Sequence, residues 1–402
     1  MKVLMLSWEY PPNIVGGLGS HVADLVPALD RLGVEVHLVT PRWKGGPRRD
    51  VLAGGSTVHR VDPPVTELAN FLADVQATNV GLQNVAEVLA GAAGPYDVVH
   101  VHDWMVAFAG IAHKHFHKTA LVATVHATER GRTGGGLHND LNVAVNGNEW
   151  WLCYEAWRVV TTSEYMALQV ADYFNVPWDK LDIVPNGVYT APYDALPERG
   201  APELVAFRRR FAGDDEPIVY HVGRLVGEKG SHLIVDAAPG VLAAAPRAKI
   251  VVAGRGPLLE TLERRVAGMG LGDRFYFTGF IPDAERDLLY RVADAAVFPS
   301  LYEPFGIVAL EAMAARTPVV VSKVGGLAEV VEHNETGIHV HPDDPASLAW
   351  GIAHTLNHPD WSRARADNAY RRLGERFDWD GIAARTRDVY ERVAAERRAS
   401  SW

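Results

Sequence analysis

Short apolar runs rich in Val, Ile and Leu alternate along the chain with longer stretches of mixed polarity, the pattern of a parallel sheet wrapped by helices. In the first half the runs fall at residues 2–8, 34–40, 97–103, 121–127, 159–163 and 181–187. In the second half they fall at 218–225, 249–254, 275–279, 295–300, 318–322 and 337–342. Each half therefore reads as its own doubly wound α/β sheet. The stretch "YTAPYDALPERGAPE" (189–203) is rich in Pro and Ala and lacks periodicity, which sets the expected domain boundary there. The expected domains are 1–190 and 204–375, with 376–402 a terminal helix packing back on the first. Two such domains are expected to face a central cleft. In open α/β sheets ligands lie beyond the carboxyl ends of the strands, so residues just after each run are the candidates for chemistry.

Composition narrows the class. At 402 residues the chain exceeds what one core supports, which agrees with two domains. A net charge of −10 argues against a nucleic-acid partner, whose backbone demands clustered Lys and Arg. The basic run "RWKGGPRR" (42–49) reads as a solvated loop, the alternative being contact with an anionic membrane or acceptor; it lacks the pattern of an amphipathic anchor. One cysteine, Cys153, permits no internal disulfide and no cysteine-based zinc site, which fits a reducing compartment. The opening "MKVLMLSW" meets "EYPP" and does not resemble a signal peptide, and no run suits a membrane span. The expectation is a cytoplasmic protein without stable membrane insertion, its oligomeric state left open.

The stretch "PSLYEPFGIVALEAMAAR" (299–316) is nearly all apolar yet carries Glu303 and Glu311. A helix covered by Ile307, Val308, Leu310 and Met313 belongs in an interior. Its carboxylates then need partners, because a buried unpaired charge is costly. Pro304, lacking an N–H, is placed to start the helix. The loop carries Phe305, and the N–H groups of Gly306, Ile307 and Val308 would point at a phosphate. Carboxylates cannot bind phosphate, so Glu303 and Glu311 would accept hydrogen bonds from hydroxyls. One anion with two hydroxyl-bearing parts describes a sugar nucleotide, with Glu303 on the sugar and Glu311 on the ribose. The plainer alternative is that Glu311 pairs with a neighbouring helix.

Arg224 ends the run 218–225 and Lys229 opens the next helix. A lysine there opposes the helix dipole, which points to an incoming anion. A planar fork and a point charge together suit a diphosphate. Alternatively Lys229 pairs with Glu228 at the surface. In the first half, Gly16, Gly17 and Gly19 precede a helix expected to begin near Ser20 and form an anion cradle, a weak signal because the spacing is not G-x-G-x-x-G. Asp103 and His126 follow two of the runs, and Asn186 and Gly187 sit at a turn; a lone histidine in such a place is more often structural than catalytic.

Together these residues resemble the retaining GT-B glycosyltransferases of glycosyltransferase family 4, near the glycogen and starch synthases. The resemblance covers nearly the whole chain through "SWEYPPNIVGGLGSHV", "HVHDW", "HATERGR", "SEYM", "VPNGV", "VGRLVGEKG", "AGRGP", "EPFGIVALEAMA" and "VGGLAEVV". It implies a GT-B fold and a donor such as UDP- or ADP-glucose, with a glucan, oligosaccharide or other carbohydrate-type hydroxyl acceptor and no tightly bound cofactor. By resemblance, Arg224 and Lys229 hold the diphosphate, Gly17 meets it from the other lobe, and Glu303 and His126 contact the sugar. Arg255 and Ile281 would lie near the base, and Asp103 would face the donor sugar or acceptor. The chain departs from the starch-synthase motif K-x-G-G-L, carrying "NIVGGLG", which leaves the donor nucleotide open. The resemblance also implies attack from the face of the leaving group, with domain closure excluding water; a carboxylate nucleophile is the disfavoured alternative.

Positive groups placed on the departing diphosphate make a metal unnecessary in this scheme. The D-x-D at 378–380 is read as structural. Competing readings are a nucleotide-sugar epimerase of the same architecture, a transferase acting on a lipid or small-molecule acceptor, a two-lobed solute-binding protein, and a nicotinamide dehydrogenase. The last two fit poorly, lacking a secretory signal and the dinucleotide glycine spacing.

Overall fold

A computed structural model describes residues 1–64 and 70–402. The chain forms two compact units, one of residues 1–187 with 379–402 and the other of residues 188–378. The segment 189–203 carries the short helix Ala191–Asp194 and the start of Pro202–Arg208, and both count with the second unit.

Among the described residues the first unit holds eight strands: β1 (Lys2–Ser7), β2 (Glu35–Pro41), β3 (Arg49–Val51), β4 (Thr57–Val61), β5 (Val98–His102), β6 (Ala120–Val125), β7 (Arg158–Thr161) and β8 (Leu181–Ile183). Their order is β3-β4-β2-β1-β5-β6-β7-β8. Among the described residues of this sheet, only the β3–β4 pair is antiparallel. β1 lies in register with both neighbours, Leu4 opposite His37 on one side and Val99 on the other. β5 and β6 are buried along their whole length, as strands covered by helices on both faces must be.

β3 and β4 were hidden in the sequence because they are polar. Arg60 in β4 is buried with its guanidinium donating to the carbonyls of Pro11 and Pro47 and to Asp50. The basic run before them is charge-paired, since Arg42 and Arg48 both meet Asp62.

The second unit holds six parallel strands: β9 (Ile218–Val222), β10 (Lys249–Ala253), β11 (Phe275–Gly279), β12 (Ala295–Phe298), β13 (Val319–Ser322) and β14 (Ile338–Val340). Their order is β11-β10-β9-β12-β13-β14. The helix Trp379–Ala399 packs within the first unit, with Arg31 bonded to Asp380 at 2.6 Å and Tyr390 to His100 at 2.6 Å. Among the described residues no helix is long and apolar enough to cross a membrane.

The loops leaving β9 and β10 approach so closely that only glycine fits. Gly254 has φ +136°, and a Cβ there would lie 1.8 Å from the Gly223 carbonyl oxygen. Gly254→Ala is therefore expected to cost on the order of 2 kcal/mol or more, through strain and displacement together. Faster hydrogen exchange confined to the β9 and β10 peptides is the expected readout, and unchanged exchange would contradict it.

Candidate functional site

In each sheet the strand order reverses once, and there the loops from two adjacent carboxyl ends diverge to opposite sides of the sheet, opening a crevice. In the second unit the reversal lies between β9 and β12. The loop after β9 makes a 3-10 turn, Gly227–Lys229, before the helix Ser231–Ala244. Gly230 joins them at φ +66°, with its Cα so near Pro299 that a Cβ would stand 1.9 Å from that carbonyl oxygen. The loop after β12 is tied to the same turn, since Leu301 donates its N–H to the Glu228 carbonyl at 2.8 Å.

These contacts bring two of the sequence candidates together. Lys229 Nζ donates to Glu303 Oε2 at 2.7 Å, and Ser300 Oγ donates to the same oxygen at 3.1 Å. The Glu303 side chain is 9% exposed and that of Lys229 is 22%, so the pair is largely shielded yet reachable. Both bonds go to Oε2 and leave Oε1 outside them. Arg224 is turned to Glu228 at 3.4 Å and is half exposed. The surface alternative thus holds for Glu228, with Arg224 rather than Lys229 as its partner.

The helix after Glu303 runs Ile307–Ala314, three residues later than Pro304. Gly306 explains the delay: its φ of +106° lies outside helical backbone. The N–H groups of Ile307 and Val308, in the first turn, have no intrahelical acceptor, whereas that of Ala309 donates to the Gly306 carbonyl at 3.0 Å. Phe305 is buried beneath this turn. Gly326 N–H donates to the Glu303 carbonyl at 2.9 Å, and a Cβ on Gly326 would fall 2.3 Å from Phe305 Cα.

Glu311 is held by the neighbouring helix Asp283–Val292. Tyr290 donates its hydroxyl to Oε2 at 3.0 Å, and Arg286 stands 3.5 Å from Oε1. Burial raises the Glu311 pKa, and the Arg286 cation opposes that rise. The pairing alternative therefore describes this carboxylate as it stands. Arg286 and Tyr290 were missed, although their i, i+4 spacing in "ERDLLYR" puts both on one helix face. Arg255 follows β10, its guanidinium 5.9 Å from the Phe280 ring, and its carbonyl accepts from Leu225 N–H at 2.9 Å, beside Arg224. Ile281, next along from Phe280, is partly buried against the core of the unit.

In the first unit the reversal lies between β1 and β5. The helix after β1 spans Gly17–Arg31, starting earlier than Ser20, with Gly16 as its extended N-cap. An anion does sit at its head, and it belongs to the chain: Glu9 Oε2 accepts the N–H of Val15 at 2.8 Å and of Gly16 at 3.1 Å. A Cβ on Gly19 would meet that oxygen at 2.7 Å, so the glycine makes room for the carboxylate. Glu9 stood two residues beyond β1, a position the strand-end rule flags.

Asp103, after β5, accepts the His126 N–H at 2.7 Å and adopts φ +60°. His126 shares a proton with His102 across 3.1 Å, its ring 4.8 Å from that of His21. His21 in turn bonds Asn186 at 2.6 Å. The turn residue and the strand-end histidine named from sequence thus join one cluster through His21 and His102, which were not named. Burial lowers the histidine pKa values, that of His21 to about 4 and that of His100 to about 3. His126 falls well below 6.5 for the same reason, with His21 adding to the effect. Burial raises Asp103 to about 7 against the His126 N–H bond. Neutral imidazoles of this kind donate or accept hydrogen bonds without carrying charge.

Residues 15–191 match the family described as Glycosyltransferase Family 4, and residues 206–372 match Glycosyl transferases group 1. The chain is 38% identical over 396 residues to an uncharacterised glycosyltransferase of Methanocaldococcus jannaschii, covering 97% of this chain and 98% of that one. It is 35% identical to a glycogen synthase of Mycobacterium tuberculosis, covering 99% and 95%. A sucrose-phosphate synthase structure from Thermosynechococcus elongatus superposes with a TM-score of 0.83 at 24% identity, over 98% and 99% of the two chains, a likeness of fold.

The histidines fix the sign of the pH response. His21, His59, His100 and His113 all titrate at about 3 to 4 in the folded chain, largely through burial, against 6.5 when free. Between those values the unfolded chain binds more protons, so stability rises with pH through that window and is lost as pH falls through it. Asp103 at about 7 and Glu149 at about 8 act in the opposite sense, since the folded chain then holds their protons longer. The four histidines so lowered outnumber the two carboxylates so raised. The thermal midpoint of this unit is expected to fall as pH drops from 6.5 to 4, and to change much less from 6.5 to 8, where the histidines of the unfolded chain lose their last protons while Asp103 and Glu149 act in the opposite sense. A flat profile measured by calorimetry between pH 4 and 8 would refute this account.

Proposed function

Because the chain belongs to glycosyltransferase family 4 and is a GT-B glycosyltransferase, we propose that it moves a hexose from a nucleoside diphosphate donor to a hydroxyl acceptor, retaining anomeric configuration and needing no catalytic metal. The observation that carries this reading is the Lys229–Glu303 pair at the strand reversal of the second unit. A cation and a carboxylate set side by side, with helix N–H groups beyond them, suit a ligand whose phosphate adjoins a polyhydroxylated ring. Glucose is the hexose favoured, and a glucan or oligosaccharide the acceptor favoured, by the glycogen synthase relative.

In this reading Lys229 and Arg224 bind the diphosphate and neutralise it as the bond to the anomeric carbon breaks. The N–H groups of Gly306, Ile307 and Val308 add positive potential at the same oxygens. Glu303 accepts from sugar hydroxyls through Oε1, while Ser300 and Lys229 hold Oε2 and fix the carboxylate plane. Glu311, oriented by Arg286 and Tyr290, accepts from the ribose. Arg255 and Ile281 flank the base, and Phe305 supports the turn from below. In the first unit His126, backed by His102 and Asp103, meets a sugar hydroxyl, and Asn186 holds His21 behind it. Gly16 and Gly17 keep the backbone open on that side. The D-x-D of residues 378–380 has a structural partner, since Asp380 bonds Arg31.

Cationic and N–H donors aimed at a departing diphosphate are worth most in the transition state; removing one such donor costs about 2.7 to 4 kcal/mol. Lys229→Ala and Glu303→Ala are each expected to lower turnover by at least about tenfold, with unchanged circular dichroism. Nucleotide release is to be measured with UDP-, ADP- and GDP-sugars and α-glucan or oligosaccharide acceptors, and the product anomer read by NMR. Near-normal turnover in both variants would overturn the assignment of the pair. An inverted product would overturn retention.

A further inference from the structure

A second polar cluster lies in the first unit, away from every residue assigned above. The helix Ala107–His117 carries His113 and His117 four residues apart, so both rings project from one face, and the helix Phe71–Ala93 presents Glu87 to them. One donor atom from each of the three lies within 4.8 Å of the others. His117 Nε2 and Glu87 Oε2 are 2.7 Å apart. His113 Nδ1 stands 3.7 Å from Glu87 Oε1, too far for a hydrogen bond.

His113 makes this cluster more than a surface ion pair. The residue is fully buried, at 0% exposure, yet neither ring nitrogen has a hydrogen-bond partner, and Glu87 Oε1 also has none. Buried polar atoms are almost always satisfied, so orphans facing one another across a few ångströms call for a missing partner. A cation answers for the unprotonated nitrogen of His113 and the Glu87 oxygen together, since each offers a lone pair, while the other imidazole nitrogen carries the hydrogen. A bare hydrogen-bond donor would serve only one.

We propose that Glu87, His113 and His117 form a site for a divalent transition metal of zinc or cobalt type, which clips the helix Phe71–Ala93 to the helix Ala107–His117. Two imidazoles and one carboxylate form a nitrogen and oxygen donor set that a borderline dication prefers to magnesium or calcium. Bonds of about 2 Å in a tetrahedron place ligand atoms roughly 3.3 Å apart, so the three need to draw in only slightly. Glu87 and His117 are each about one-third exposed, which leaves room for a solvent molecule as fourth ligand and a path for the ion. His21, His102 and His126 also converge, but all three already hold partners, His21 in Asn186 and His102 and His126 in each other.

The test uses the full chain without a polyhistidine tag, stripped with chelator and titrated with Co²⁺ and with Zn²⁺. One equivalent of Co²⁺ is expected to bind, with the intense visible absorption of a tetrahedral centre. Zn²⁺ is expected to displace it and to raise the thermal midpoint. Glu87→Gln and His117→Ala, both at partly exposed positions, are expected to weaken binding by about tenfold or more and to abolish the thermal shift. His126→Ala is expected to leave the affinity unchanged. Absence of saturable binding would overturn the proposal, as would binding that survives His117→Ala and is lost in His126→Ala.

Discussion

A parallel sheet covered by helices on both faces has no free surface for chemistry except its edges and its strand ends. Both sheets of this chain obey that constraint, and each reverses its strand order once, at β1 and β5 in one and at β9 and β12 in the other. Strands adjacent in space but distant in sequence then deliver their loops to one place. Lys229 and Glu303, 74 residues apart, meet because β9 pairs with β12 while β10 and β11 lie on the far side. The same geometry sets Glu9 and Asp103 at the ends of β1 and β5. Nothing about these side chains would matter if the order ran straight.

The reversal also governs how charge is stored. Each of three carboxylates near these ends has its own partner within the chain: Glu303 has Lys229 and Ser300, Glu311 has Arg286 and Tyr290, and Glu9 has the N–H groups of Val15 and Gly16. Leaving any of these charges unpaired in a shielded place would cost several kcal/mol, so the pairing is a condition of folding. It also defines what binding must achieve. A ligand that takes Lys229 as its counter-ion has to leave Glu303 with other donors, and an array of hydroxyls supplies them. The demand that folding makes on these side chains thus coincides with the chemistry of a sugar joined to phosphate.

Most of this architecture was legible from the run of apolar positions. Every strand that packs centrally was marked by a Val- and Ile-rich run, because burial on both faces leaves no room for alternation. β3 escaped because it is largely exposed, and β4 because it is buried around a charged residue, Arg60 with its carbonyl acceptors. At the site, Lys229 and Glu303 were legible because the loops that hold them follow strand ends. The partner of each was not. Sequence spacing pairs Lys229 with its neighbour Glu228, whereas the turn at Gly230 swings the ammonium across to the next loop. Helix starts were misjudged by three residues in both units, in opposite directions. Gly306 delays one helix by its left-handed backbone, while the Glu9 carboxylate extends the other by capping N–H groups that sequence leaves free. Arg286 and Tyr290 were readable as a helical face, but only Glu311, far along the chain, gives that face its purpose.

The position of Glu311 reconciles two readings that first seem exclusive. A carboxylate gripped by Tyr290 on one oxygen and approached by Arg286 on the other looks spent, yet each carboxylate oxygen carries two lone pairs, and a single partner on each leaves capacity for more. Partners drawn from a packed helix fix the plane of the group more firmly than solvent would. A fixed acceptor discriminates by direction, because a hydroxyl that arrives off the lone-pair axis gains little. In the proposed reading, structural pairing is the means by which a buried glutamate becomes a selective acceptor, and the burial that raises its pKa is opposed by the same arginine that approaches it. The interior position of this residue, in that reading, supplies the preorganisation that an acceptor for a hydroxyl requires.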